Sequence, residues 1–184
     1  QAAEQGFAMA QYNLGFMYHH GRGVPQNYTT AVNFYERAAE QGFAMAQFNL
    51  GVMYDQGRGV PQSNRTAVKF YEKAAEQGLA NAQFNLGNIY RDGRGVPQNY
   101  TTARVLYGKA AKQGLAVAQC RMGDLYDNGH GVKQSDTTAR QWYEKAAAGG
   151  YAAAMANLGI LHVNGHGVPR NLVKAKEYFD QAWA

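Results

Sequence analysis

One motif recurs through this chain at a fixed interval, and no other feature limits the fold so strongly. Ala2, Ala38, Ala74, Ala110 and Ala146 open five successive copies, 36 residues apart. The copies span residues 2–37, 38–73, 74–109, 110–145 and 146–181. Self-similarity at a period of about 20–50 residues marks arrays whose units bury their apolar faces against one another. The 184 residues therefore predict a single repeat array.

Each copy reads as two helices. In the first copy one helix is predicted over Phe7 to His20, with Ala10, Leu14, Met17 and Tyr18 at i, i+4, i+7 and i+8 on one face. The same face recurs as Ala46, Leu50, Met53, Tyr54 and, in the last copy, as Ala154, Leu158, Leu161, His162. Gly15, Gly51, Gly87, Gly123 and Gly159 interrupt these helices. A mid-helix glycine costs about 1 kcal/mol relative to alanine, so its recurrence implies a close approach by the partner helix. Gly21-Arg22-Gly23-Val24-Pro25 then ends the helix, and Asn27, Ser63, Asn99, Ser135 and Asn171 stand where N-caps belong. A second helix follows over Tyr28 to Gln41, with Ala31, Phe34, Tyr35 and Ala38 inward and Gly42 closing it. Short connections on both sides make neighbouring helices antiparallel.

Composition excludes several classes of function. The net charge is +5, but the 18 Lys and Arg residues are spread across all copies, so nucleic-acid binding is an unlikely reading. No apolar run reaches the roughly 18 residues that a membrane span requires. Cys120 is the only cysteine, which excludes an internal disulfide. The five histidines match no zinc spacing. The glycine loop lacks the strand and third glycine of a phosphate-binding fingerprint. No cofactor, metal or catalytic residue is predicted. The chain opens without Met inside what reads as the tail of a second helix, as a fragment of a longer array would.

The pattern Ala10-x-x-x-Leu14-Gly15-x-x-Tyr18-x-x-Gly21-x-Gly23-Val24, followed by Ala31-x-x-x-Tyr35-x-x-Ala38-Ala39, resembles the Sel1-like repeat, a relative of the tetratricopeptide repeat. All five copies carry it. The resemblance implies an all-α fold: a right-handed α-solenoid superhelix of helix-turn-helix units, first helices lining the concave side. It also implies a non-enzymatic scaffold or adaptor whose partner is a protein or peptide. A bacterial periplasmic or secreted setting is a further implication. A cysteine-rich branch of the family has been linked to β-lactam binding and hydrolysis, but this chain lacks that branch's cysteine pairs.

Comparison between copies separates framework from recognition surface. Positions 9, 16, 19 and 20 of the first helix vary strongly on a stripe opposite the apolar face, and positions 9, 12, 16, 19 and 20 lie within about 100° of one another. The predicted partner-binding residues are Met9, Asn13, Phe16 and His20; Met45, Asn49, Val52 and Gln56; Asn81, Asn85, Asn88 and Asp92; and Arg121 with Asp124. The competing accounts are drift on solvated faces and, for the Phe16, Met9, Met45 and Val52 cluster, an N-terminal end covered by another repeat in a longer protein. Asn13, Asn49, Asn85 and Asn157 recur where Asn is a poor helix former. They form either a ladder gripping an extended peptide or, the favoured account, hydrogen bonds to the next repeat's backbone. Tyr12, Phe48 and Phe84 are read as repeat-to-repeat packing, and the loop cations Arg22, Arg58, Arg94, His130 and His166 as a solvated edge.

Overall fold

The structure, a computed structural model, describes residues 2–183, with side chains from residue 6 onward. Among these residues there are ten helices and no strand. The first helices of the units are α1 (Ala2–His20), α3 (Ala44–Gln56), α5 (Ala80–Asp92), α7 (Ala116–Asn128) and α9 (Ala152–Asn164). The second helices are α2 (Tyr28–Glu40), α4 (Asn64–Glu76), α6 (Tyr100–Lys112), α8 (Asp136–Ala148) and α10 (Leu172–Trp183). The fold is the all-α solenoid that the repeat predicted. Its residues group into two compact units, 1–98 and 99–184, holding α1–α5 and α6–α10.

Local chemistry sets the helix ends. Asn27 Oδ1 accepts from the Thr30 amide at 2.9 Å and Ser63 Oγ from the Thr66 amide at 3.2 Å. Asn99, Ser135 and Asn171 cap their helices in the same way. The first helices of the second to fifth copies stop at a left-handed glycine, as at Gly57 with φ +67°, where a Cβ would be strained.

In unit 1, Ala31, Tyr35, Ala38 and Ala39 of α2 pack with Ala46, Leu50 and Met53 of α3. In unit 2, Tyr143 and Ala146 of α8 meet Ala154, Leu158 and Leu161 of α9. Within the units, α2 packs on α1, α4 on α3, α8 on α7 and α10 on α9, and α2, α4, α6 and α8 also pack on the first helix that follows them. Both tryptophans lie in unit 2. Trp142 sits under the Lys145 ammonium at 4.5 Å, and Trp183 is 91% exposed.

The glycines inside the first helices have a specific cause. A Cβ on Gly51 would lie 2.6 Å from the Tyr71 ring. The same clash would arise between Gly15 and Tyr35 and between Gly159 and Phe179. The close approach is therefore a buried aromatic ring. In the loops of the second to fifth copies the matching glycine lies against the start of the preceding second helix, as Gly59 does on the backbone of Tyr28 and Thr29.

Two expectations change in the first copy. The α1 helix runs from Ala2 through Gly6, whereas Gly42 and Gly78 turn with positive φ in the matching position. In the later copies that turn hangs from a second helix, through bonds such as Phe43 N–H to Ala38 O at 3.1 Å. Ala10 and Leu14, predicted to be core, are exposed, while Ala46 and Leu50 are fully buried.

Candidate interaction surface

The surface formed by the first helices is organised from beneath by the buried tyrosines. Tyr35, Tyr71 and Tyr143 carry their hydroxyls through the core toward the neighbouring first helix. Burial raises all three pKa values, so the hydroxyls stay neutral. Asn85 Nδ2 donates to the Tyr71 hydroxyl at 3.3 Å, and Asn49 bonds Tyr35 in the same way. The Asn partner is thus a tyrosine side chain of the preceding unit. It is not the backbone that the sequence favoured, because the tyrosine already occupies that gap. Unit 2 varies the theme: Asp124 Oδ1 accepts from the Tyr143 hydroxyl at 3.0 Å and from Asn157 Nδ2 at 3.3 Å. Arg121, in the position of Asn85, donates to Asp124 Oδ2 at 2.9 Å.

None of the predicted partner-binding residues is buried. In unit 1, Met9, Asn13, His20, Met45, Gln56, Asn81 and Asp92 are exposed, and Phe16, Asn49, Val52, Asn85 and Asn88 are half-buried. In unit 2, Arg121 and Asp124 are half-buried. Phe16 anchors a small cluster: its ring centroid lies 4.2 Å from His20 and 6.3 Å from Tyr12, with the Arg22 guanidinium 5.1 Å away. A hollow of about 630 Å³ opens beside Met9, with Phe43, Ala44, Gln41 and Gln77 in its lining. Asp92 is paired with Arg91 at 2.7 Å.

Positions 12 and 19 of the repeat belong to packing. Tyr12 lies 5.7 Å from the Tyr35 ring and 5.1 Å from that of Phe43, and Phe48 lies 5.9 Å from Tyr71. His19 Nδ1 meets the Tyr35 hydroxyl at 3.2 Å; burial, then His20 and Arg58, lower its pKa. Asp55, the next copy's residue at this position, pairs with Arg94 at 2.6 Å. The loop cations are correspondingly engaged: Arg58 lies over Tyr28 at 5.7 Å and His130 stacks on Tyr100 at 4.6 Å. Arg22, Arg58, His130 and His166 are nonetheless exposed, as a solvated edge requires, and Arg94 is half-buried.

Cys120 is buried, and its thiol is pushed up to about 12 by burial and then by the charge of Asp124. Among the described residues no three His, Cys, Asp or Glu side chains converge to hold a metal ion, and no helix is long and apolar enough to cross a membrane.

Sequence reasoning missed the glutamines. Gln47 Nε2 donates to Ala39 O at 3.3 Å, and Gln77 Nε2 donates to Gln47 Oε1 at 2.7 Å. Gln83 and Gln119 repeat the first bond, to Ala75 and Ala111. A second set, Gln26, Gln62 and Gln98, ties each loop to a carbonyl near the first helix's end, as Gln62 Nε2 does to Asp55 O at 2.8 Å. Their constancy between copies was the available signal. Glutamine has no strong helix or core preference to mark it.

The sequence profile described as Sel1 repeat matches residues 8–43, 44–79, 80–115, 116–151 and 152–182, opening each unit at a first helix. No curated protein matches the chain. Among solved structures, c5321, a protective antigen of uropathogenic Escherichia coli with an SLR fold, is 40% identical at TM-score 0.92. That match covers 99% of this chain and 39% of the E. coli protein, so the chain spans well under half of that relative. A Sel1 repeat protein from Oxalobacter formigenes is 37% identical at TM-score 0.91, covering 96% and 72% of the two chains. The immunity protein Pa5087 of Pseudomonas aeruginosa, at 23% identity and TM-score 0.60 over 95% of this chain and 64% of its own, shares the fold.

Proposed function

Because the chain belongs to the Sel1 repeat family, whose members generally act as non-enzymatic protein-interaction scaffolds, we propose that it binds a protein or peptide segment along the first-helix stripe of unit 1. The observation that carries this reading is the outward apolar set on α1 and α3. Met9 is 53% exposed, Met45 is exposed, and Phe16 and Val52 are half-buried, while Leu50 and Met53 on the other face of α3 are fully buried. Apolar side chains beside a hollow, with Asn13 and Asn81 among them, suit a partner that inserts apolar side chains and presents backbone polar groups.

The alternatives lack a comparable foundation. Anion or nucleic-acid binding would need a dense basic patch, and the loop cations stand one per copy, with Arg94 paired to Asp55 at 2.6 Å. Hydrolysis of the β-lactam type would need a nucleophile, and the Cys120 thiol stays protonated at neutral pH. A peptide array probed with the chain and with a Met9→Glu/Met45→Glu variant tests the reading. The double substitution at exposed sites leaves the melting temperature unchanged and lowers binding at least ten-fold. Equal binding by a folded variant sinks the stripe.

A further inference from the structure

Within each unit, the last turn of a first helix meets the loop cation of the next copy, and this junction takes two forms. In the acid–base form, Asp55 pairs with Arg94 at 2.6 Å in unit 1, and in unit 2 the charge of His166 acts on Asp127. The junction of the first two copies is different: His19 takes the place of the acid, beside Arg58. His20 adds a third basic group, its ring stacked on that of His19 at 4.5 Å. Among the described residues no carboxylate pairs with any of the three. The pKa of His19 is lowered by burial, then by His20 and then by Arg58, so the cluster resists further positive charge.

The groups that α2 and α3 turn toward this cluster are uncharged. Tyr28 lies edge-on to His19 at 5.6 Å and beneath the Arg58 guanidinium at 5.7 Å. Asn49 donates to the Tyr35 hydroxyl, whose own proton is then free for His19 Nδ1 at 3.2 Å. An imidazole that accepts at Nδ1 carries its proton on Nε2, so His19 offers a donor even when neutral. His20 and Arg58 are exposed, and His19 is half-buried. Position 20 is also exposed in the second copy, at Gln56, which has a copy on either side. Neighbouring copies therefore leave such a junction open.

We propose that the His19, His20 and Arg58 junction receives one carboxylate of the partner, an Asp or Glu side chain of a protein or peptide, in the place that Asp55 fills in the second copy. The proposal rests on the stripe reading above and adds to it the charge that the partner carries. Phe16 of the stripe lies 4.2 Å from the His20 ring, so a segment seated on the apolar set reaches the junction without a break. A single carboxylate occupies one junction and needs no row of cations. Charge-assisted bonds from imidazole and guanidinium suit it, and its charge offsets the mutual repulsion of the three groups.

The test titrates the full chain, isotopically labelled in its histidines, with acetyl-Leu-Glu-Leu-amide and with acetyl-Leu-Gln-Leu-amide. The glutamate peptide shifts the imidazole resonances of His19 and His20 saturably, and the glutamine peptide binds about five-fold more weakly. His19→Asp gives the junction the acid that the second copy already has, and Arg58→Gln removes the exposed cation. Each brings the two peptides to equal affinity in a chain that remains folded. Equal affinity for the unmodified chain overturns the proposal, and so does a preference for glutamate that survives both substitutions. A phosphoserine peptide bound about ten-fold more tightly than the glutamate peptide would assign the junction to phosphate and overturn the carboxylate. The array with Met9→Glu/Met45→Glu reads the stripe and leaves the three basic groups in place, so the two readings fail separately.

Discussion

At the scale of single residues, the same amino acid plays opposite parts at two positions. Gly51 makes room for the Tyr71 ring, 2.6 Å from where its Cβ would be. Gly108, inside α6, has nothing within 4 Å of such an atom and an ordinary helical φ. Gly51→Ala therefore costs about 1–3 kcal/mol through overpacking, while Gly108→Ala gains up to about 1 kcal/mol through helix propensity. Urea denaturation followed by circular dichroism gives both values, and a harmless Gly51→Ala would remove the tyrosine explanation. The recurrence of these glycines was legible in the sequence, as was the need for a missing Cβ. The identity of the intruding atom was not. Spacing along one helix carries no information about which side chain of its neighbour arrives opposite.

At the scale of the element, the N-caps and the apolar faces came through because they are local: a cap needs an amide three residues on, and a face needs only the 3.6-residue period. The glutamine bonds join residues 8 and 30 positions apart, from Gln47 to Ala39 and from Gln77 to Gln47, and so escape any local pattern. They hold one helix end to the next at a buried point. Gln47→Ala removes the donor to Ala39 and the acceptor for Gln77 together, for an expected loss of about 1–3 kcal/mol. The outward-facing Gln56→Ala serves as the comparison, with a change within about 0.5 kcal/mol. Equal effects would make the buried relay energetically idle. The boundary of α1 was misjudged for a related reason: the break at Gly42 and Gly78 depends on a second helix beneath it, and a glycine alone does not enforce it.

At the scale of the whole molecule, the titrating groups bound a window of stability. Cys120 and the tyrosines Tyr35, Tyr71 and Tyr143 hold their protons more tightly folded than unfolded, against ordinary values of 9.0 and 10.0. Their contribution is complete below about pH 9 and is lost as the pH rises beyond it. His19 is shifted the other way, below 6.5, so its contribution is present above that pH and is lost as the solution becomes more acidic. The melting temperature should therefore plateau from about pH 6.5 to 9 and fall on both sides. Cys120→Ala and His19→Gln should each flatten one shoulder, and an unchanged profile in either variant would assign that shoulder elsewhere. The uneven placement of Trp142 and Trp183 has a further consequence. Unit 1 contains no indole, so near-ultraviolet excitation at the red edge is blind to it, while helical ellipticity weighs α1–α5 and α6–α10 alike. Melting curves recorded by the two signals on the unmodified chain therefore form an intrinsic two-colour assay, and any offset between them measures how far one half of the array can unravel ahead of the other.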